Sequence, residues 1–347
     1  MSKGNITILG VGRLGRCMAL VCERAGYSVV GVDVLPDYIE QLNNKTYVSD
    51  EPYVTQYLLQ STNFVATTDM QKGLNHSDKI FCMVATPTGI GAKSYDHSML
   101  SSLLSKINKA KVANKQIIVS CTVLPGYIAH IGQFLLRDCT NTTLSYNPAF
   151  IAQGDIVNGL TKPDMVLIGE QNVSDGDWLT ELYKNLCVNN PKVCRMSTES
   201  AEICKLAVNC FITTKISFAN MIGDIAQKTE NANANDILNA VGFDSRIGSK
   251  CLIPGFGFGG PCFPRDNRAL GNYASSIGVE PIIPIATDSY NQFHTKFMAQ
   301  NYLLENREIY VFEDVCFKPN CPVPIIEESQ KLEVAKLIRM AGKKVLI

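Results

Sequence analysis

The stretch that most constrains this chain is its first. Ile6-Thr7-Ile8-Leu9 runs straight into Gly10-Val11-Gly12-Arg13-Leu14-Gly15, and a helix-length segment, Leu14 to Ala25, comes next and is closed by Gly26. A buried strand, a GxGxxG turn and a helix in that order predict the opening of a doubly wound α/β sheet. The glycines allow a tight turn and let a pyrophosphate come up against the backbone. There the helix N-terminus offers partial positive charge. Asp33 lies eighteen residues beyond Gly15, at the end of the next apolar run. A carboxylate there accepts hydrogen bonds from a ribose 2′-hydroxyl and repels a 2′-phosphate, so the expected cofactor is NAD and not NADP. Gly10, Val11, Gly12, Arg13, Leu14, Gly15 and Asp33 are its expected contacts.

The alternation continues. Ser28–Val32, 79–84, 116–120, 143–146 and 165–168 read as further buried strands, carrying a Rossmann-like domain over residues 1–198. From Glu199 to Ile222 there is neither Pro nor Gly, and apolar residues fall on nearly every face. A helix of that kind is expected to be buried on all sides, at the centre of a domain or of a dimer. It opens a central helical dimerisation region, 199–300, that also holds the glycine-rich stretch Gly242 to Gly260. From 301 to 347 a strand–helix–strand pattern restarts, an incomplete α/β piece that is either cut short or docked on its neighbours.

Equal totals of Lys+Arg and Asp+Glu, 32 each, give no electrostatic footprint for nucleic acid or an anionic membrane. No apolar run is read as long enough for a membrane span. Thirteen scattered cysteines read as reduced thiols and so as a cytoplasmic chain. The isolated histidines His76, His97, His130 and His294 have no metal-ligand spacing, so no metal is expected.

Two features of the second half carry chemistry. Lys205 and Asn209 are four apart on the long helix and point the same way. A lysine in so apolar a setting needs a partner or a ligand, although one snorkelling at an interface fits the spacing equally well. Further on, Gly255-Phe256-Gly257-Phe258-Gly259-Gly260 leads into Pro261-Cys262-Phe263-Pro264-Arg265-Asp266. Glycines at this density suggest backbone held close to a ligand, with a thiol at its edge. Composition alone does not separate Cys262 from Cys251; the loop around it does. A thiolate that attacks an aldehyde forms a thiohemiacetal, and hydride loss from that carbon leaves a thioester.

These residues, with Thr86-Pro87, Ser120-Cys121-Thr122-Val123, Asn147-Pro148, Phe150, Asp244-Ser245-Arg246-Ile247-Gly248 and Phe317-Lys318-Pro319-Asn320, resemble the UDP-glucose/GDP-mannose dehydrogenase family. The likeness is strongest to its UDP-glucose 6-dehydrogenase type. It implies NAD-dependent oxidation of a UDP-sugar at C6 to the uronic acid, with Cys262 as thioester nucleophile. Lys205, Asn209 and Asp266 would stabilise the oxyanion and place water, and Thr122 would help hold that water near the nicotinamide. Thr86 and Thr122 join the cofactor contacts. Phe150, Ile151, Lys205, Asn209, Arg246, Leu252, Gly259 and Lys318 match substrate-binding positions. The resemblance also implies a homodimer through the long helix, with Arg246 reaching the nucleotide phosphates of the partner's site.

The chain departs from the family pattern where Asn-Pro-Glu-Phe-Leu-x-Glu-Gly reads Asn147-Pro148-Ala149-Phe150-Ile151-Ala152-Gln153-Gly154. Cys251 replaces an aromatic, Met221 a glutamate, Arg265 a lysine and Glu327 an arginine. The first missing glutamate is implicated in thioester hydrolysis, and losing a general base costs roughly 10²–10⁴ in rate. A second expectation therefore stands beside the active enzyme: an impaired member that traps the thioester or only binds sugar nucleotide.

Overall fold

A computed structural model describes residues 2–89, 95–319 and 321–347; of the motifs above, Asn320 lies outside them. The chain divides into two compact units, residues 1–89 with 95–205 and residues 206–347, and the division falls inside the long helix.

The amino-terminal unit is built on one eight-stranded sheet. In chain order its strands are β1 (Asn5–Leu9), β2 (Ser28–Val32), β3 (Phe64–Thr67), β4 (Lys79–Cys82), β5 (Gln116–Val119), β6 (Thr143–Tyr146), β7 (Met165–Gly169) and β8 (Lys192–Met196). They are arranged 3-2-1-4-5-6-7-8, and every pair is parallel except β6 with β7. Successive residues of a strand face opposite sides of a sheet. Accordingly Ile80 and Cys82 enter one apolar core and Phe81 the other, while Ile117 and Ile118 part in the same way. With both faces covered, each fully buried Ile or Leu contributes about 1.5–3 kcal/mol. The order reverses between β1 and β4, and a doubly wound sheet binds its ligand outside the strand ends at that point.

The carboxy-terminal unit is helical. After the long helix (Thr198–Lys228) come helices Ala234–Phe243, Phe263–Ser276, Ile282–Leu304 and Gln330–Met340. The last lies between β9 (Ile309–Val311) and β10 (Lys344–Leu346), which pair in parallel. Tyr310, Val334 and Ile338 pack with Ala299 of Ile282–Leu304, so this small strand–helix–strand piece docks within its unit.

The long helix bears on two expectations. It spans 31 residues, and an 18-residue window of it reaches a mean hydropathy of 1.2. By length and composition it is the one helix among the described residues that could cross a bilayer. Within the single chain it is not buried on all sides, which leaves the centre of a dimer as the remaining form of that expectation. Its buried face carries a polar row, Glu202, Lys205, Asn209, Thr213, Ser217, Asn220 and Asp224, beside Ala201, Leu206 and Ala219, while Phe211, Phe218 and Ile225 stand exposed. The reason is hydrogen bonding: a buried polar group is tolerated when it is paired. Thr213 reaches Cys210 O and Asn267, Ser217 donates to Thr287 O, and Asp224 accepts from Tyr290.

Candidate active site

In the amino-terminal unit the glycine turn leaves β1 at its carboxyl end. Gly10 has φ +94°, and a Cβ there would lie 2.8 Å from Met83 O after β4. A Cβ on Gly15 would lie 1.9 Å from Gly10 O, so only glycine lets the helix start this close to the strand. Gly12 differs, for a Cβ there meets nothing within 4 Å. It opens onto a cavity of about 320 Å³ whose wall includes Arg13, Arg16, Asp33, Tyr38, Ser49 and Glu51.

Asp33 is fixed in place by two backbone donors. Its Oδ2 accepts from Val11 N at 3.1 Å and its Oδ1 from Val34 N at 2.8 Å. Arg16, 4% exposed, donates to Tyr38 Oη at 2.7 Å and to Ser49 Oγ at 3.3 Å, while its buried Nε has no hydrogen-bond partner in the protein. An open backbone turn, a ribose-type carboxylate and a buried guanidinium with a donor to spare fit a dinucleotide. Thr86 lies just past β4 and Thr122 just past β5, so the expected cofactor residues all stand at the carboxyl ends of neighbouring strands or in the helix after β1.

Glu51 and Arg16 are functional candidates that the motif does not reveal. Glu51 is buried and accepts from Gly154 N at 2.8 Å and Ile156 N at 3.4 Å, with Arg13 at 3.5 Å. It ties the cofactor loop to a segment more than a hundred residues away, which no local pattern signals.

Lys205 has partners. Its Nζ donates to Ala149 O at 3.0 Å and lies 4.4 Å from the centre of the Phe150 ring. Both belong to the segment after β6, where Ile151 backs onto Gly159. One turn earlier, Glu202 accepts from Gly126 N at 2.6 Å and Ile128 N at 2.8 Å, fixing the loop just beyond Thr122. Burial raises its carboxyl to about 7 against the pull of those two donors.

In the carboxy-terminal unit, Cys262 stands half-buried at the N-cap of helix Phe263–Ser276. A helix N-terminus favours a thiolate. Asp266 N donates to Cys262 O at 2.8 Å, closing the first turn. The Asp266 side chain is 1% exposed and accepts from Asn209 Nδ2 at 2.6 Å; Arg265 Nε lies 3.8 Å away. Cys210 Sγ–H points at Asp266 O at 3.4 Å, its own thiol pushed up to about 12 by burial. Asn209, Asp266 and the Cys262 turn are thus one bonded group, while Thr122 and Lys205 lie in the amino-terminal unit.

The expected substrate residues are placed less uniformly. Leu252 is core, packed with Ala219 and Leu238. Arg246 is highly exposed and paired with Asp244 at 2.6 Å. Lys318 lies 5.9 Å from the Phe317 ring centre, and Gly259 passes beneath Glu328 O, 2.3 Å from where its Cβ would be.

A doubly wound sheet with this turn, this carboxylate and this cavity defines a dinucleotide-binding α/β protein. Residues 4–187 match the NAD binding domain of the UDP-glucose/GDP-mannose dehydrogenase family, and residues 199–292 match its central domain. The chain belongs to that family, and its cofactor is NAD. It is 30% identical over 289 residues to a GDP-mannose 6-dehydrogenase of Pseudomonas savastanoi pv. phaseolicola, covering 79% of this chain and 65% of that protein. To a UDP-glucose 6-dehydrogenase of Rickettsia typhi it is 29% identical over 282 residues, covering 80% and 64%. The chain therefore spans just under two thirds of the length of these relatives. A UDP-glucose dehydrogenase of Pyrobaculum islandicum superposes with a TM-score of 0.89 at 28% identity, covering 98% of this chain and 80% of that one.

Proposed function

We propose that the chain is an NAD-dependent UDP-sugar 6-dehydrogenase, with UDP-glucose the favoured substrate, oxidising C6 to the carboxylate through Cys262. The observation that carries this reading is the bonded group of Asn209, Asp266 and the Cys262 turn, in a chain that holds an NAD domain. NAD, when bound, supplies the hydride acceptor.

The protein's own groups do the rest. The C6 alcohol must first lose a hydride from carbon and a proton from oxygen to become the aldehyde; the Cys262 thiolate then attacks that carbon, forming a C–S bond as the carbonyl oxygen becomes an alkoxide. The Asn209 amide is a donor suited to that oxygen. Loss of hydride from the same carbon leaves a thioester, and water cleaves it to the acid and the free thiol, with Asp266 placing the water. Gly12, Arg13 and Arg16 would hold the pyrophosphate, and Asp33 the ribose.

The exposed row Phe211, Phe218 and Ile225, spaced by seven along the long helix, supports self-association through that face. Thirteen cysteines without a disulfide support a reducing, cytoplasmic setting.

One observation favours a second reading, in which the thioester is trapped. Position 149, where relatives in the resembled pattern carry glutamate, is Ala149, and position 153 is Gln153. The test of both is NADH formed per sugar in time, with UDP-glucose, GDP-mannose and N-acetylated UDP-hexoses in turn. Sustained release of two NADH per UDP-glucose supports the full enzyme. A burst of two per site that stops supports the trapped form, and Ala149→Glu should then restore turnover by roughly 10²–10⁴. No NADH from any sugar nucleotide contradicts the dehydrogenase reading.

A further inference from the structure

Resting on the reading of Cys262 as nucleophile, we propose that Asn220, Asn291 and His294 are positioning residues that clamp the glycine-rich loop and so fix where that thiol sits. Side chains hold residues 255–260, and they do it by satisfying the loop's backbone one group at a time. Asn220 Oδ1, on the long helix, accepts from Gly255 N at 2.9 Å. His294 Nε2, on Ile282–Leu304, faces Gly255 O at 2.7 Å. Asn291, one turn away, does both jobs at Phe258: Oδ1 accepts from Phe258 N and Nδ2 donates to Phe258 O, each at 2.9 Å. Asn291 and His294 are 5% and 4% exposed, and Asn220 is 1% exposed. The pair of bonds at Phe258 fixes the orientation of the Asn291 amide, since one end must accept and the other donate.

His294 is itself braced. Its Nδ1 lies 2.9 Å from both carboxylate oxygens of Asp224, and Asp224 Oδ2 also accepts from Tyr290 Oη at 2.8 Å. The ring is thus held from both sides, by the Gly255 carbonyl at Nε2 and by the Asp224 carboxylate at Nδ1. Beyond Phe258 the loop is closed by Gly260 N donating to Glu327 O at 2.9 Å, two residues before Cys262. Four backbone groups held by buried side chains make the loop a rigid seat, and a thiol misplaced by about 1 Å loses on the order of 10²-fold in rate.

The test uses the full chain with Asn291→Asp, His294→Gln and, as a buried control on the same helix that does not touch the loop, Thr287→Val. Asn291→Asp keeps the side chain's shape but sets an oxygen against Phe258 O. Hydrogen exchange of the 255–262 peptide and the rate of Cys262 alkylation by iodoacetamide are read by mass spectrometry, with Cys139 as internal reference. Neither readout uses turnover, so the clamp stands or falls apart from the dehydrogenase reading. In the native protein the Gly255 and Phe258 amides should exchange as slowly as those of the flanking helices. Both loop variants should exchange at least tenfold faster there and change Cys262 alkylation at least threefold, with Thr287→Val doing neither. Fast exchange in the native loop overturns the proposal. So does an unchanged loop in the folded variants, or the same loosening in the control.

Discussion

The chain has two glycine-rich loops, and they use glycine in opposite ways. At Gly10–Gly15 the backbone packs against itself but leaves Gly12 facing open space and a 320 Å³ cavity. At Gly255–Gly260 the space is filled by the protein. A Cβ on Gly257 would lie 2.1 Å from Asn291 Oδ1, and one on Gly260, which has φ +82°, 2.4 Å from the Phe317 ring. The first loop keeps its backbone for a ligand. The second gives its backbone to buried side chains and so presents Cys262, two residues past its end. Glycine content alone predicts close approach of something; only the surroundings say whether that something is ligand or protein.

The largest effect expected from this contrast is on stability. Gly15→Ala forces a methyl group into the Gly10 carbonyl and should cost on the order of 3 kcal/mol in urea unfolding. Gly257→Ala, opposed by a side-chain oxygen that can shift, should cost about 1–2 kcal/mol. Equal small costs at both would erase the distinction between backbone and side-chain packing.

A third loop, at Gly126, is also gripped by a side chain, and this grip titrates. With the Glu202 carboxyl raised from 4.5 to about 7, the folded protein keeps a proton that the unfolded chain loses first. Stability from this group is therefore full below about pH 4.5 and is lost as the pH climbs towards 7. Between pH 5 and 7.5 the native protein should lose about 2 kcal/mol that Glu202→Gln does not lose. Parallel pH profiles for the two would contradict the shift.

The smallest stability effect belongs to Gly12→Ala, which should unfold within about 0.5 kcal/mol of the native protein. Its affinity for NAD should nonetheless fall by about tenfold, because the methyl group enters the space the pyrophosphate needs. Unchanged NAD affinity would mean that Gly12 does not border the cofactor.

The sequence made the interior of the sheet readable, and it hid the rim. β1, β2, β4, β5 and β7 carry apolar residues on both faces and declare themselves, while β6 shows only Leu144 and Tyr146. The edge strands β3 and β8 do not: Phe64–Thr67 is four residues long, and Lys192–Met196 interleaves Lys192 and Arg195 and stays half-exposed. In the long helix, composition reports which residues are apolar, not which face the chain's own core buries. Here a hydrogen-bonded polar row faces inward and phenylalanines face out. Cys262, Asn209 and Asp266 could be picked out as candidates because motif and spacing are local. Glu51 and the Asn291–His294 clamp depend on partners between 33 and 105 residues away, and no window of sequence holds both ends.

The central claim is that oxidation passes through a covalent bond to Cys262. The most direct measurement is peptide mass spectrometry of the full chain, acid-quenched while NADH is forming from UDP-glucose. The expected result is a UDP-glucuronyl acyl group joined through its C6 carbonyl to the Cys262 peptide, absent without NAD and absent in Cys262→Ser. A Cys262 peptide that stays unmodified throughout NADH formation would contradict it.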